Sequence, residues 1–287
     1  MEETKNQTTN VHTQEHILKR KSDKIYTRSA IVLLTLLILV SGIIYSSKQS
    51  LPGDRLYTLK INVLEKIEMA VHVSSKSKAI YQVTLLTNRL DEVQELNKSD
   101  TVTKEMEDIF STELSKESDA LAVLIAQSTD GAFPKTEVLS TINNFASVAG
   151  GIEAISEQNA KLVTIGDTAE NIRIETVRLY KDKSLSFVQT ENQETVYTFI
   201  ATQLKEVKDE LGNNALSTGT SRIAKTYLDR VEPALKDADL TKVIVSIAEA
   251  QRFIRIEQYA GIETETSQKE ATSSTTTNTQ ASSTVVQ

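Results

Sequence analysis

The chain contains no cysteine. That absence excludes disulfide scaffolds, thiolate zinc sites, iron–sulfur clusters and cysteine nucleophiles together. Proline and glycine are scarce, with 3 and 9 residues in 287. Immunoglobulin-like sandwiches, propellers and dinucleotide-binding α/β domains need more turn residues, so the scarcity points to helices. Histidine occurs 3 times, which leaves little for a histidine-based metal centre. Positive charge is also short, with 32 Lys and Arg against 39 Asp and Glu and a net charge of −7. A nucleic-acid binder would show the opposite balance, so no nucleic-acid partner is expected. Apolar residues are 39% and charged residues 25%, a mixture that buries a core.

One run dominates what is present. Residues 29–47 carry no charge and include Ala30-Ile-Val-Leu-Leu-Thr-Leu-Leu-Ile-Leu-Val40. At about 1.5 Å per residue this run matches the roughly 30 Å hydrocarbon core of a bilayer. Lys19, Arg20, Lys21, Lys24 and Arg28 precede it closely, whereas only Lys48 and Arg55 follow within ten residues. The positive-inside rule therefore puts residues 1–28 in the cytoplasm and the remainder outside. A cleavable signal peptide fits less well. Its basic region would be unusually long, and Ile44 and Tyr45 spoil the small-residue cleavage pattern. An uncleaved single-pass anchor in the cell membrane is expected. An exported chain without cysteine suits a bacterial envelope better than a eukaryotic secretory route.

Residues 1–28 read as a disordered cytoplasmic tail. His12 and His16 lie four apart within it, a spacing taken as chance rather than a metal site. After the anchor, Pro52-Gly53 breaks the helix and Asp54 is expected to cap the next one. That helix carries Leu56, Leu59, Val63, Ile67, Ala70 and Val71, with a second row at Tyr57, Ile61 and Leu64. So broad an apolar face predicts cover on more than one side. Ser74 and Ser75 end it and start a hairpin partner bearing Ile80, Val83, Leu86, Leu90 and Val93. Six more helical rows follow: Met106–Leu124, Val138–Ile152, Ile165–Phe187, Val196–Leu211, Ile223–Leu235 and Leu240–Ile254. Gly150-Gly151 predicts a kink or a close approach, and Pro233 puts the last turn of its helix in doubt. From Glu263 on, 13 of 25 residues are Ser or Thr, which predicts a disordered tail. The expectation is all-α: one N-terminal transmembrane helix, then an extracytoplasmic bundle of about eight helices, divided into regions 51–160 and 161–262.

The stretch Leu51-Pro-Gly-Asp-Arg-Leu-Tyr-Thr-Leu-Lys60, followed by Glu65, resembles an uncharacterised bacterial envelope family, domain of unknown function 5667. Asn88-Arg89-Leu90-Asp91-Glu92 resembles that family's Arg-Leu-x-Glu segment. The resemblance covers roughly residues 51–128 and implies an extracytoplasmic helical domain behind one membrane helix, with no known activity. From the residues themselves, Leu56 and Tyr57 are expected to anchor the hairpin base against Leu90 and Val93. Lys60 is expected to form an exposed pair with Asp91 or Glu92, worth about 0–1 kcal/mol.

Chemistry is harder to find. His72 stands alone outside the anchor, so it has no histidine with which to share a metal. Ser75-Lys-Ser-Lys78 matches the Ser-x-x-Lys of penicillin-binding enzymes but lacks their partner motifs. Asp237-Ala-Asp239 lacks the Gly and Glu of a calcium loop. Glu105/Asp108 and Glu206/Glu210 read as a solvated face, although two carboxylates would in principle serve as acid and base on a glycan. No catalytic, cofactor-binding or metal-binding residue is assigned, and no cofactor is expected. The reading is a non-catalytic envelope module that binds or scaffolds, with an envelope protein or cell-wall component as partner. The alternatives are a single-pass regulator signalling through residues 1–28 and, more remotely, a cell-wall hydrolase.

Overall fold

Ile31–Lys48 forms the first helix, α1, with a mean hydropathy of 2.0 and only 6% of its residues buried. Three of its polar side chains are satisfied within the helix. Thr35, Ser41 and Ser47 each donate a hydroxyl to the carbonyl four residues earlier, at 2.9, 2.8 and 2.8 Å. Such back-bonding suits a helix with no water beside it. The computed structural model describes residues 31–99, 101–127, 133–213 and 216–261. The expected tails at 1–28 and 263–287, with His12 and His16, lie outside the described residues. The chain divides into two compact units, one ending at Lys66 and the other beginning at Ile67.

In the first unit, α1 is followed by a tight turn and the start of α2 (57–71). α2 is α-helical over Tyr57–Leu59, π-helical over Lys60–Leu64 and α-helical again over Glu65–Val71. Tyr57 and Lys60 are buried, whereas Leu56 is only half-buried and Val63 is exposed. None of the residues of Glu65–Val71 is buried, so the expected two-sided cover is absent there.

The second unit contains the remaining helices: α3 (Ser75–Lys98), α4 (Lys104–Ala126), α5 (Lys135–Ser156), α6 (Val163–Thr190), α7 (Gln193–Asn213), α8 (Thr218–Leu228), α9 (Val231–Lys236) and α10 (Leu240–Ala260). No strand occurs among the described residues, and the fold is all-α. Side chains start five of these helices by accepting a backbone N–H. Ser74 takes that of Ser77, Thr103 that of Met106, Asn192 that of Thr195, Ser217 that of Thr220 and Asp239 that of Lys242. Each such cap satisfies a donor the helix itself leaves open. Gly261, at φ 57, ends α10 in the left-handed region.

α5 and α10 form the centre. α5 packs on α3, α6 and α10, and α10 also meets α6, α7, α8 and α9. Val138, Ile142, Phe145, Ala149 and Ile152 of α5 are all buried, as their spacing predicts. α5 runs unbroken through Gly150-Gly151, so the glycines serve close approach rather than a kink. A Cβ at Gly150 would sit 2.7 Å from Ile256 Cγ1, and one at Gly151 2.7 Å from Tyr259 Cβ. The row Ile223–Leu235 is two helices. Its buried residues are Ala224, Val231 and Ala234, while Ile223 and Leu235 are exposed. Pro233 falls in the first turn of α9, where its missing N–H costs no helical hydrogen bond. It belongs to a helix start and does not weaken a helix end.

Candidate functional site

The opening motif folds onto itself. Pro52 and Gly53 occupy the centre of a turn in which Asp54 N–H donates to Leu51 O at 2.9 Å, with Gly53 at φ 96. A positive φ after proline is the type II arrangement, which favours glycine. The Asp54 carboxylate accepts from Leu51 N–H at 2.8 Å, so Asp54 closes the turn behind it and does not cap α2. Leu56 stands at the N-cap position with no side-chain bond. Lys60 lies 5.8 Å over the Tyr57 ring and donates to the Ser50 carbonyl at 3.4 Å. The expectation of an exposed Lys60 is therefore corrected: only 7% of it reaches solvent. A lysine can thread its aliphatic stem along an aromatic ring while its ammonium finds an oxygen, and sequence spacing alone does not show which face does this.

The second family segment forms an ion cluster inside the other unit. Arg89 is fully buried; its Nη1 donates to Glu92 at 2.6 Å and its Nε to Glu117 of α4 at 2.9 Å. Glu92 thus has its partner one turn back on α3, a neighbour at i−3 that helical geometry brings close. A second polar seam crosses α5 and α10. Asn143 donates its amide to Gln251 at 2.9 Å and accepts from Arg252 at 3.0 Å, and Arg252 also bonds Glu249 at 2.8 Å. Arg255 bonds Asn144 and reaches Glu210 at 3.1 Å. Glu210 is therefore half-buried and paired rather than part of a solvated face. Tyr180 is buried nearby, and burial pushes its phenol above the usual tyrosine range against an opposing pull from Arg252. The one sequence signal for this seam is Gln251, a polar residue occupying an apolar row.

The residues searched for chemistry stand apart from one another. His72 stacks on Tyr81 with ring centroids 4.7 Å apart, and the Tyr81 hydroxyl donates to Glu68 at 2.8 Å. Asp239 caps α10. Asp108 pairs with Lys104 at 3.1 Å, and Glu105 is exposed. Among the described residues no group of three or more His, Cys, Asp or Glu is placed to hold a metal ion.

Among the described residues two clefts adjoin, one between α5 and α6 and the other between α5 and α7. One, of about 600 Å³, runs past Phe133, Thr136, Lys183, Ser186, Thr190 and Thr195. Lys135 closes its edge by donating to Thr190 and Glu191, each at 2.7 Å. The other, of about 510 Å³, shares Thr136 and Thr195 and adds Glu137, Ser140, Glu194, Thr198, Thr202 and Glu206. Phe187 and Phe199 meet edge-to-face at 5.3 Å beneath them and are buried, so neither offers an exposed ring. Glu137 is held by Lys76 at 2.5 Å, and Glu206 accepts from Gln203 at 2.9 Å. The walls present hydroxyls and carboxylates, which is hydrogen-bonding chemistry.

An apolar helix leading into an all-α domain opened by a Pro-Gly-Asp turn defines the class. Residues 49–176 match the family described as Domain of unknown function (DUF5667). The match contains both segments on which the resemblance rests and runs past residue 128 to the middle of α6. No curated protein and no solved structure matches the chain.

Proposed function

We propose that this protein is a single-pass, membrane-anchored module of a bacterial envelope whose helical domain stands outside the membrane and binds or spaces other components without catalysing a reaction. The observation that carries the reading is α1, whose side chains from Ile31 to Tyr45 are almost all apolar and exposed. A patch of that size needs a non-aqueous environment. The hydroxyl-lined clefts support binding of a polar chain, such as a glycan or an extended peptide. Glu137, Glu191 and Glu206 are engaged by Lys76, Lys135 and Gln203, which favours holding over hydrolysis.

The cysteine-free background makes topology directly measurable. Glu270→Cys is expected to react with a membrane-impermeant maleimide in intact cells, after permeabilising any outer membrane, and Asn10→Cys only after lysis. The reverse pattern overturns the orientation. Co-purification with and without residues 1–28 separates the module from a signalling regulator. Retention of partners on truncation supports the module; loss of all of them transfers the function to the cytoplasmic tail.

A further inference from the structure

The two clefts are lined by the hydroxyls of Thr136, Ser140, Ser186, Thr195 and Thr198. Among the described residues none of these five hydroxyls has a hydrogen-bond partner. Other helical hydroxyls of this unit are engaged locally: Ser147, Thr168, Thr176 and Ser184 each donate to the carbonyl four residues earlier. Thr202, at the far end of the smaller cleft, does the same toward Thr198 and keeps only its acceptor capacity. An open hydroxyl offers one donor and two acceptors to whatever enters.

The spacing of these groups suits one kind of chain. Thr136 and Ser140 on α5, and Thr198 and Thr202 on α7, are each four apart, a rise of about 6 Å along the helix. In an extended peptide, groups on one side recur every two residues, at about 6.6 Å. From Thr195 to Glu206, α7 rises about 16 Å, the span of about five extended residues.

The clefts also differ in charge. The larger holds Lys135 and Lys183 against Glu191, whereas the smaller is lined by Glu137, Glu194 and Glu206 with no lysine or arginine. Lys135 is taken by Glu191, and Glu137 by Lys76. Among the described residues Lys183 and Glu194 have no charged partner, and Glu206 meets the neutral amide of Gln203. We infer that the adjoining clefts bind an extended peptide of about five residues. Its acidic group meets Lys183, and its basic side chain meets Glu194 and Glu206. The inference deepens the reading that these clefts hold a polar chain, and it rests on that reading. The hydroxyls of α5 and α7 exchange hydrogen bonds with the N–H and C=O groups that the peptide backbone carries at every residue except proline. A neutral glycan fits less well. It brings no charge to answer Lys183 and Glu194, and Phe187 and Phe199, at 1% and 8% exposed, open no aromatic face to a sugar ring.

The test uses the full-length chain in detergent micelles on arrayed hexapeptides of four kinds: acidic at one end and basic at the other, acidic at both, basic at both, and uncharged. The first kind is expected to bind best. Lys183→Glu should move the preference to peptides basic at both ends. Glu194→Lys with Glu206→Lys should move it to peptides acidic at both. Ser140→Ala with Thr198→Ala removes two hydroxyls and should weaken binding of the first kind by about fivefold or more. None of these positions is buried, so substitution spares the core, and circular dichroism checks that each variant stays helical. Equal binding of all four kinds, a preference that neither charge swap redirects, or binding that survives loss of the hydroxyls overturns the inference. A parallel array of neutral oligosaccharides separates the two readings. Glycan binding without peptide binding overturns the inference and leaves the polar-chain reading standing; binding to neither array overturns both.

Discussion

Replacing Arg89 by methionine tests the ion cluster that joins α3 to α4. The guanidinium is fully buried and bonded to Glu92 and Glu117, which are themselves 4% and 7% exposed at the side chain. Arg89→Met keeps the apolar volume but leaves two carboxylates close together in a desolvated interior. Breaking a buried pair on one side typically costs about 3–5 kcal/mol, a large part of the roughly 5–15 kcal/mol that holds a domain together. For a domain of this size each kcal/mol moves the thermal midpoint by about 2–4 °C, so a fall of about 6–20 °C is expected. The assay is thermal unfolding followed by far-ultraviolet circular dichroism. A second variant, Arg89→Met with Glu92→Leu and Glu117→Leu, removes the stranded charges together and should recover most of the loss. A single-variant shift below about 2 °C, or a triple variant no better than the single, refutes the argument that charge burial governs this contact.

Gly151→Ala should destabilise more than Gly150→Ala. It drives a methyl toward Tyr259 Cβ, whereas at Gly150 much of the contact is with the flexible end of Ile256; overpacking of about 1–3 kcal/mol outweighs the gain of about 1 kcal/mol in helix propensity. Lys60→Ala should cost about 1–3 kcal/mol by leaving the buried Ser50 carbonyl short of its donor, measured by urea unfolding; no change would return Lys60 to the surface. Tyr180 makes stability sensitive to alkali. Its folded phenol titrates above the ordinary value, so its contribution is complete below about pH 10 and falls as pH rises beyond that. Tyr180→Phe should flatten that decline in denaturation curves taken across the alkaline range, and an unchanged slope would refute it. Phe145→Ala, at a fully buried position of α5, should cost about 3–5 kcal/mol; a cost below 1 kcal/mol would place the core elsewhere.

Helix spacing was enough to find the elements, because rows such as Val138–Ile142–Phe145–Ala149–Ile152 repeat with a period that only a helix satisfies. It failed where burial depends on what lies opposite. Val63, Ile67 and Val71 follow the same rule as the core rows but stay exposed, since periodicity records an apolar face and says nothing of what covers it. The break between α8 and α9 was hidden for a different reason. Ile223, Tyr227 and Val231 continue a four-residue rhythm across it, while two of the three buried positions, Ala224 and Ala234, are small alanines that carry little weight in such a pattern. Among polar groups, Arg89 and Glu92 were visible as a segment but not as a pair. A charged residue next to Leu90 reads as surface until its burial is known. The clefts bring residues of α5, α6 and α7 together from distant parts of the chain, and nothing local marks that convergence.

The central place of α10 sets the order in which the molecule can be completed. The family match ends at residue 176, yet the glycine face of α5 waits for Ile256 and Tyr259, and Asn143 waits for Gln251 and Arg252. At a synthesis rate of about 5–20 residues per second, the 85 residues from 177 to 261 take about 4–17 s to follow. During that interval a nascent α5 shows bare backbone and an unbonded amide along the side α10 will fill. The matched segment is therefore half of a clasp, open from the moment it is made until the last helix arrives.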